Sequence, residues 1–230
     1  MKALLIPVKD PANAKTRLAG LLSTDERKRL AWAMFEDVAR AVCEAQKPHR
    51  IVLVSSFAPA VERARSLHWD VLIEESQMSE SASVDWASRI LGERGFDTVM
   101  RLPADLPLIR AEDIDAILSV TLDRPGSVLV PSRDGTGTNA IVRTPANVFP
   151  SRFGPKSLSL HRQEAARVGA SCVVVANERI ALDVDEASDV ELLLELGRGT
   201  QTYNTLVEFD AQGPLVSRKE RNDTQRTQTR

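Results

Sequence analysis

The chain has 230 residues, 43% of them hydrophobic, with a formal net charge of −2. That is enough apolar material for one compact domain. The near-neutral balance argues against binding nucleic acid or a membrane surface through bulk charge.

At the amino end, Met1 to Lys9 holds an apolar run too short and too interrupted for a signal peptide. No segment is long and apolar enough to span a bilayer, so a cytoplasmic protein is expected. Ala3 to Val8 reads as a first strand, apolar on both faces and so central in a mostly parallel sheet. The loop that follows carries Lys9, Lys15 and Arg17, cations of the kind that gather phosphate oxygens, although it contains neither a Walker A sequence nor GxGxxG. Ser23 and Glu26 form a capping-box pattern. The helix they open runs to about Ala45 with Leu30, Ala33, Met34, Val38, Ala41 and Val42 on one stripe, and Cys43 falls within it.

Arg50 to Ser55 and Trp69 to Glu74 read as the next strands, with a short helix from Ala58 to Ser66 between them. Glu75 to Ala82 is polar and aperiodic, a loop before a helix from Ser83 to Glu93. The stretch from Asp97 to Pro107 is an apolar strand that ends in an acid, Asp105, held between Pro103 and Pro107. In open α/β sheets, ligands bind just beyond the carboxyl ends of strands, so Asp105 stands where a metal or phosphate would. Taken alone it reads equally well as the cap of the next helix, expected over Ala111 to Leu122.

Ser127 to Pro131 is a strand, and Arg133 to Asn139 a glycine- and hydroxyl-rich loop leading into another. A turn at Phe153 to Ser157 opens a helix from Leu158 to Val168 that carries His161. Strands are expected at Ser171 to Ala176, which holds Cys172, and at Arg179 to Val184. The cysteines have no metal-ligand spacing and read as small core residues of a reducing compartment. In an extended chain Asp183 and Asp185 point the same way. Two like charges that close ask for a cation, and Mg²⁺ characteristically takes one or two carboxylates plus phosphate oxygens. Glu186 to Asp189 then opens a helix through Leu196. Residues 199–230 are polar and read as a flexible tail after a single domain at 1–198.

Strand and helix alternate throughout, which predicts an α/β protein, a three-layer α/β/α sandwich on a mixed, mostly parallel sheet. A basic loop after strand one, Asp105 after strand four and the Asp183/Asp185 pair fall on one edge. That set suits transfer of a nucleotidyl group, with Mg²⁺ neutralising the phosphate charge.

Together Ile6-Pro7-Val8-Lys9, Ala14-Lys15-Thr16-Arg17-Leu18, Ala104-Asp105-Leu106-Pro107-Leu108, Gly137-Thr138-Asn139, Phe153-Gly154-Pro155-Lys156-Ser157 with His161, and Leu182-Asp183-Val184-Asp185 resemble the guanylyltransferases of coenzyme F420 biosynthesis. These act on 2-phospho-L-lactate or phosphoenolpyruvate and have a nucleotide-diphospho-sugar transferase-like fold. The resemblance covers roughly residues 3 to 196. It implies GTP and a small phosphorylated three-carbon acid as substrates, Mg²⁺ on Asp105, Asp183 and Asp185, and Lys9, Lys15 and Arg17 along the GTP phosphates. It also implies Thr138, Gly154, Ser157 and His161 around the acceptor acid, and a homodimer and the next enzyme of the pathway as partners. Two positions depart from the family: Thr136 replaces a usual glycine, and Ser79 to Val84 lacks the usual Leu-Asn pair. A sugar-phosphate or molybdenum-cofactor type nucleotidyltransferase and a non-catalytic nucleotide-binding module are the rival readings.

Overall fold

The computed structural model describes residues 1–75, 78–213 and 215. The strands are β1 (Lys2–Pro7), β2 (Arg50–Ser55), β3 (Asp70–Ile73), β4 (Thr98–Arg101), β5 (Gly126–Pro131), β6 (Thr138–Thr144) and β7 (Ser171–Val174). The helices are α1 (Thr24–Glu44), α2 (Ala58–Ser66), α3 (Glu80–Glu93), α4 (Ala111–Leu118), α5 (Ser157–Arg167), α6 (Glu178–Ala181), α7 (Ala187–Leu196) and α8 (Gln201–Ala211).

One seven-stranded sheet runs in the order β3-β2-β1-β4-β6-β5-β7. β1 pairs in parallel with both β2 and β4, and β5 with β7, while β6 runs antiparallel to its neighbours β4 and β5. The expected mixed, mostly parallel α/β sheet is therefore present, and the reversal of β6 has a consequence for the site. It brings the start of β6, at Thr138 and Asn139, to the edge where β1, β4 and β5 end.

β1 shows why the fold has three layers. Successive side chains of a strand face opposite ways. Leu4 and Ile6 pack with Phe35, Val38 and Val42 of α1, Ala60 and Ala64 of α2, and Ile114 and Ile117 of α4. Ala3 and Leu5 pack on the other face with Val84, Ala87 and Leu91 of α3. Further along the sheet, Leu129 and Ile141 pack with Ala165 of α5.

The capping box before α1 is formed: Ser23 Oγ accepts from Glu26 N at 3.3 Å, and Glu26 accepts from Ser23 N at 2.8 Å. Three local expectations need correction. α3 begins at Glu80 because Ser79 caps it, accepting from Ala82 N at 3.2 Å. α4 stops at Leu118, short of Leu122. The run 179–184 is not a strand: Asn177 caps the short helix α6, accepting from Ile180 N at 2.9 Å, and the chain extends only after it. Burial still alternates there, with Leu182 and Val184 buried and Asp183 and Asp185 half-buried, so both acids do leave the core together.

The largest correction concerns the tail. Thr200 caps α8, which packs along α1, and Thr202, Leu206 and Phe209 are buried. Leu206 and Phe209 join Leu22, Leu30, Met34, Val190 and Leu193 in one cluster, and Asp37 of α1 accepts from Gln201 N and Thr202 N, each at 2.8 Å. Residues 214 and 216–230 of the expected tail lie outside the described residues. If α8 is part of the core, Phe209→Ala loses stability by about 3–5 kcal/mol, as for other large-to-small core changes. Urea unfolding followed by circular dichroism measures it, and a change under 1 kcal/mol, within the range of an exposed substitution, is the adverse result.

Candidate active site

A cavity of about 490 Å³ opens beyond the carboxyl ends of β1 and β4, lined among others by Lys9, Lys15, Trp32, Glu80, Arg101 and Asp105. Lys15 lies at its centre of charge. Its ammonium is 2.7 Å from Asp105 Oδ2 and 2.7 Å from Asp185 Oδ1, joining residues 90 and 170 positions away, and only 8% of its side chain is exposed. The backbone there is left-handed, φ 52° and ψ 41°, between short 3-10 turns at Pro11–Asn13 and Thr16–Leu18. That conformation costs a residue with a Cβ about 1–3 kcal/mol, and persists only where the surroundings fix it. Here Ala14 N donates to Pro11 O at 2.9 Å, Leu18 N to Lys15 O at 2.9 Å, and Leu18 is fully buried.

Each acid has its own support. Asp105 follows β4, where Leu102 N donates to Leu5 O at 3.0 Å and Leu102 and Leu106 are buried. Asp183 accepts from Asn139 Nδ2 at 3.1 Å, and the same amide reaches Ile180 O and Ala181 O at 2.8 and 3.0 Å. Asp113 of α4 grips α6 from behind with two bonds from Arg179, at 2.6 and 2.7 Å. Asp189 Oδ2 accepts from the backbone N–H groups of Asp185 and Glu186 at 3.0 and 2.8 Å, fixing the turn that carries Asp185.

The electrostatics are unbalanced in one direction. Burial alone would lower the Lys15 pKa, but the charges of Asp105 and Asp185 outweigh it and hold the ammonium above its ordinary value. Burial works against ionising Asp105 as well, yet Lys15 and Arg101 hold its carboxyl below the usual carboxylate range. Asp183 goes the other way: burial and then the charge of Asp105 push it up, with the Asn139 hydrogen bond opposing. Arg101 is buried at the floor and lowered to about 10 by that burial, against the pull of Asp105 and Asp183. With Glu80 paired to Arg101, four carboxylates thus face two cations, and Asp183 is the one whose pKa is pushed up.

That surplus decides whether the residues suit a divalent ion. Among the described residues no three His, Cys, Asp or Glu side chains close up as a metal cage by themselves. The donors are nevertheless hard oxygens with negative charge left uncompensated, the chemistry that fits Mg²⁺ completed by phosphate oxygens.

Arg101 and Glu80 escaped the sequence reading. Arg101 donates to Asn139 O at 3.1 Å, pairs with the Glu80 carboxylate, and lays its guanidinium over the Phe153 ring at 4.2 Å. An arginine at the end of an otherwise apolar strand was the one available signal.

The expected acceptor residues lie behind Arg101. Thr138 and Ser157 are buried and Gly154 is exposed with φ 117°, followed by Lys156 at φ 60° before α5. His161 is fully buried and both ring nitrogens are engaged. Nε2 accepts from Arg152 N at 2.8 Å, so the proton sits on Nδ1 and is donated to Thr138 Oγ1 at 3.1 Å. His161 therefore orients Thr138, with both ring nitrogens already bonded within the protein. Lys9 lines the cavity and donates to Met78 O at 2.6 Å. Arg17 is not on its wall: the side chain is 69% exposed and meets Glu186 at 3.4 Å, on the outer rim.

A mixed, mostly parallel sheet between helical layers is the fold seen in nucleotide-diphospho-sugar transferases. In overall shape the chain is similar to a crystal structure from Desulfovibrio desulfuricans assigned to that group, with TM-score 0.74 at 18% identity over 95% of this chain and 97% of that one. A cytidylyltransferase from Leptospira borgpetersenii follows at TM-score 0.59 and 15% identity, over 93% and 94%. These likenesses establish the fold.

Sequence carries the assignment further. The chain belongs to the family described as "Guanylyl transferase CofC like", whose profile matches residues 1–226. It is 34% identical to the phosphoenolpyruvate guanylyltransferase of Rubrobacter xylanophilus, over 86% of this chain and 95% of that one. It is 30% identical to the 3-phospho-D-glycerate guanylyltransferase of Colwellia psychrerythraea, over 88% and 96%. It is 33% identical to the 2-phospho-L-lactate guanylyltransferase of Methanothermobacter thermautotrophicus, over 88% of each. The protein is thus an enzyme, a nucleotidyltransferase of the guanylyltransferase kind. No helix among its described residues is long and apolar enough to cross a membrane.

The His161 ring gives a pH signature. Burial first, then Arg143 and Arg101, lower its pKa from 6.5 to about 4. The unfolded chain therefore takes up a proton that the native ring refuses, so stability is full above pH 6.5 and is lost as pH falls toward 4. His161→Gln removes up to one proton from this slope, about 1.4 kcal/mol per pH unit. Urea midpoints of both proteins across that range measure it, and identical slopes contradict it.

Proposed function

We propose that the protein transfers GMP from GTP to the phosphate of a small phosphorylated three-carbon acid, phosphoenolpyruvate, 2-phospho-L-lactate or 3-phosphoglycerate, as in coenzyme F420 biosynthesis. The single observation that supports this most is the Lys15 ammonium shared by Asp105 and Asp185 at the mouth of the cavity. A site that gathers acids and a lysine from three distant segments is suited to a triphosphate and its counter-ion.

In this reading Lys9 and Lys15 lie along the triphosphate as point charges. Asp105, Asp183 and Asp185 hold Mg²⁺, which when bound neutralises phosphate charge and screens the carboxylates from it. Thr138, Gly154 and Ser157 receive the carboxylate end of the acceptor. The Nδ1–H of His161 occupies one lone pair of the Thr138 hydroxyl, which turns the Thr138 proton outward toward an anion. The positive end of the α5 dipole adds favourable potential there. An oxygen of the acceptor phosphate attacks the α-phosphorus of GTP, a new P–O bond forms, and the bond to the β-phosphate oxygen breaks as pyrophosphate leaves. Positioning and charge neutralisation are the main demands of such a transfer.

The test is pyrophosphate release from GTP with each of the three acids and with sugar phosphates as acceptors, together with mass detection of the product. Product with a sugar phosphate alone moves the enzyme to another acceptor class. Asp183→Asn and Asp185→Asn each lower turnover by about 100-fold or more, the scale on which removal of one transition-state charge partner acts, and leave the circular dichroism spectrum unchanged. Full activity in both variants rules out the carboxylate assignment.

A further inference from the structure

We infer that Lys15 and a divalent cation compete for the same two carboxylates, so that arrival of the metal frees the ammonium for the triphosphate. This rests on the proposed transferase reading and adds an order of events to it.

The geometry carries the idea. Lys15 Nζ takes one oxygen from Asp105 and one from Asp185 at 2.7 Å each, and with 8% of its side chain exposed it sits in the gap between them. A divalent ion bound to those carboxylates needs oxygens on the same side, and two cations a few ångströms apart in a partly buried site repel strongly. Charge count points the same way. Asp105, Asp183, Asp185 and Glu80 against Lys15 and Arg101 leave two negative charges. A divalent ion cancels them without further need of the ammonium at the carboxylates, which is then available to the arriving triphosphate. A lysine suits such exchange because its four-carbon stem has several rotatable bonds. The backbone need not move, since Lys15 O and Pro11 O remain tied to Leu18 N and Ala14 N at 2.9 Å each. Lys15 also lines the cavity, so the released ammonium stays within the substrate space.

The probe is Mn²⁺ with the full-length protein and no nucleotide, with free Mn²⁺ counted by electron paramagnetic resonance. Competition requires Lys15→Met to bind Mn²⁺ about tenfold or more tighter than wild type, and Lys15→Arg to stay near wild type. Melting temperature then rises more on adding Mg²⁺ in Lys15→Met than in wild type, because Asp105 and Asp185 have lost a partner. Equal or weaker Mn²⁺ binding by Lys15→Met overturns the inference while leaving the transferase reading standing. Absence of Mn²⁺ binding in every variant likewise overturns the inference, while the transferase reading is tested separately by product formation from GTP. Should Lys15→Met fail to fold, the wild type still decides. In ¹⁵N-lysine spectra the Lys15 ammonium signal, identified by its loss in Lys15→Arg, must disappear or shift on adding Mg²⁺. An unmoved signal refutes competition.

Discussion

The structure depends on one electrostatic constraint: acids brought together at the end of a sheet must be given cations or they will not stay ionised and close. Burial raises the energy of every charge here, and the raised pKa of Asp183 beside the lowered one of Asp105 shows where neutralisation is complete and where it is not. Asp105 has Lys15 and Arg101. Asp183 has an uncharged amide, Asn139, and a like-charged neighbour. A fold that only needed stability could place an apolar side chain at 183, because a buried ion pair is rarely worth more than good packing. Retaining a carboxylate there at a cost in stability is understandable if a further cation is part of the working state.

The sheet supplies the geometry. β1 and β4 are hydrogen-bonded neighbours, so the Lys15 loop and the Asp105 turn leave the sheet side by side. The acid pair arrives from a distant part of the chain, and its position depends on β6. Because β6 runs opposite to β4, its first residues lie at the same edge, and the Asn139 amide holds the end of α6 and Asp183. Were β6 parallel, Asn139 and Thr138 would lie at the opposite edge of the sheet. The buried Arg143, on the same strand, binds Asp85 and Ser88 of α3 and Phe149 O, at 2.8, 2.8 and 2.6 Å, while Asp85 accepts from Ser151 N and Oγ. One strand thus ties both Asp183 and, through Arg143 and Asp85, the segment from Phe149 to Ser151.

What the sequence revealed and what it hid follow from range. Apolar runs, the Ser23–Glu26 box and the acid between two prolines are local patterns, and each appears where those patterns put it. Residues 179–184 misled because Ile180, Leu182 and Val184 alternate as in a strand, while Asn177 and Arg179 instead tie the segment into a helical turn against Asp113. α8 was missed because its apolar positions are sparse, and the acid that secures its start, Asp37, lies in α1, far away in sequence. The Arg101–Glu80 pair and the Asp189 clasp on Asp185 join residues whose meeting no periodicity encodes.

The same division bears on specificity. Lys15 and Asp105 come from short turns just beyond strand ends, where the sheet fixes them. The wall proposed for the acceptor comes from α3 and the turn before α5, joined by Phe153 N to Ser81 Oγ at 2.9 Å and by the Phe153 ring between Arg101 and His161. The start of α3 is where the sequence departs from the family pattern, and Glu80 there already occupies the guanidinium of Arg101. An acceptor carrying one more hydroxyl or one fewer hydrogen would be sensed by this wall, while the acids around Lys15 remain indifferent to it. On the proposed reading, a change in the choice of acid asks α3 and the 153–157 turn to vary, with the charge balance around Lys15 left intact.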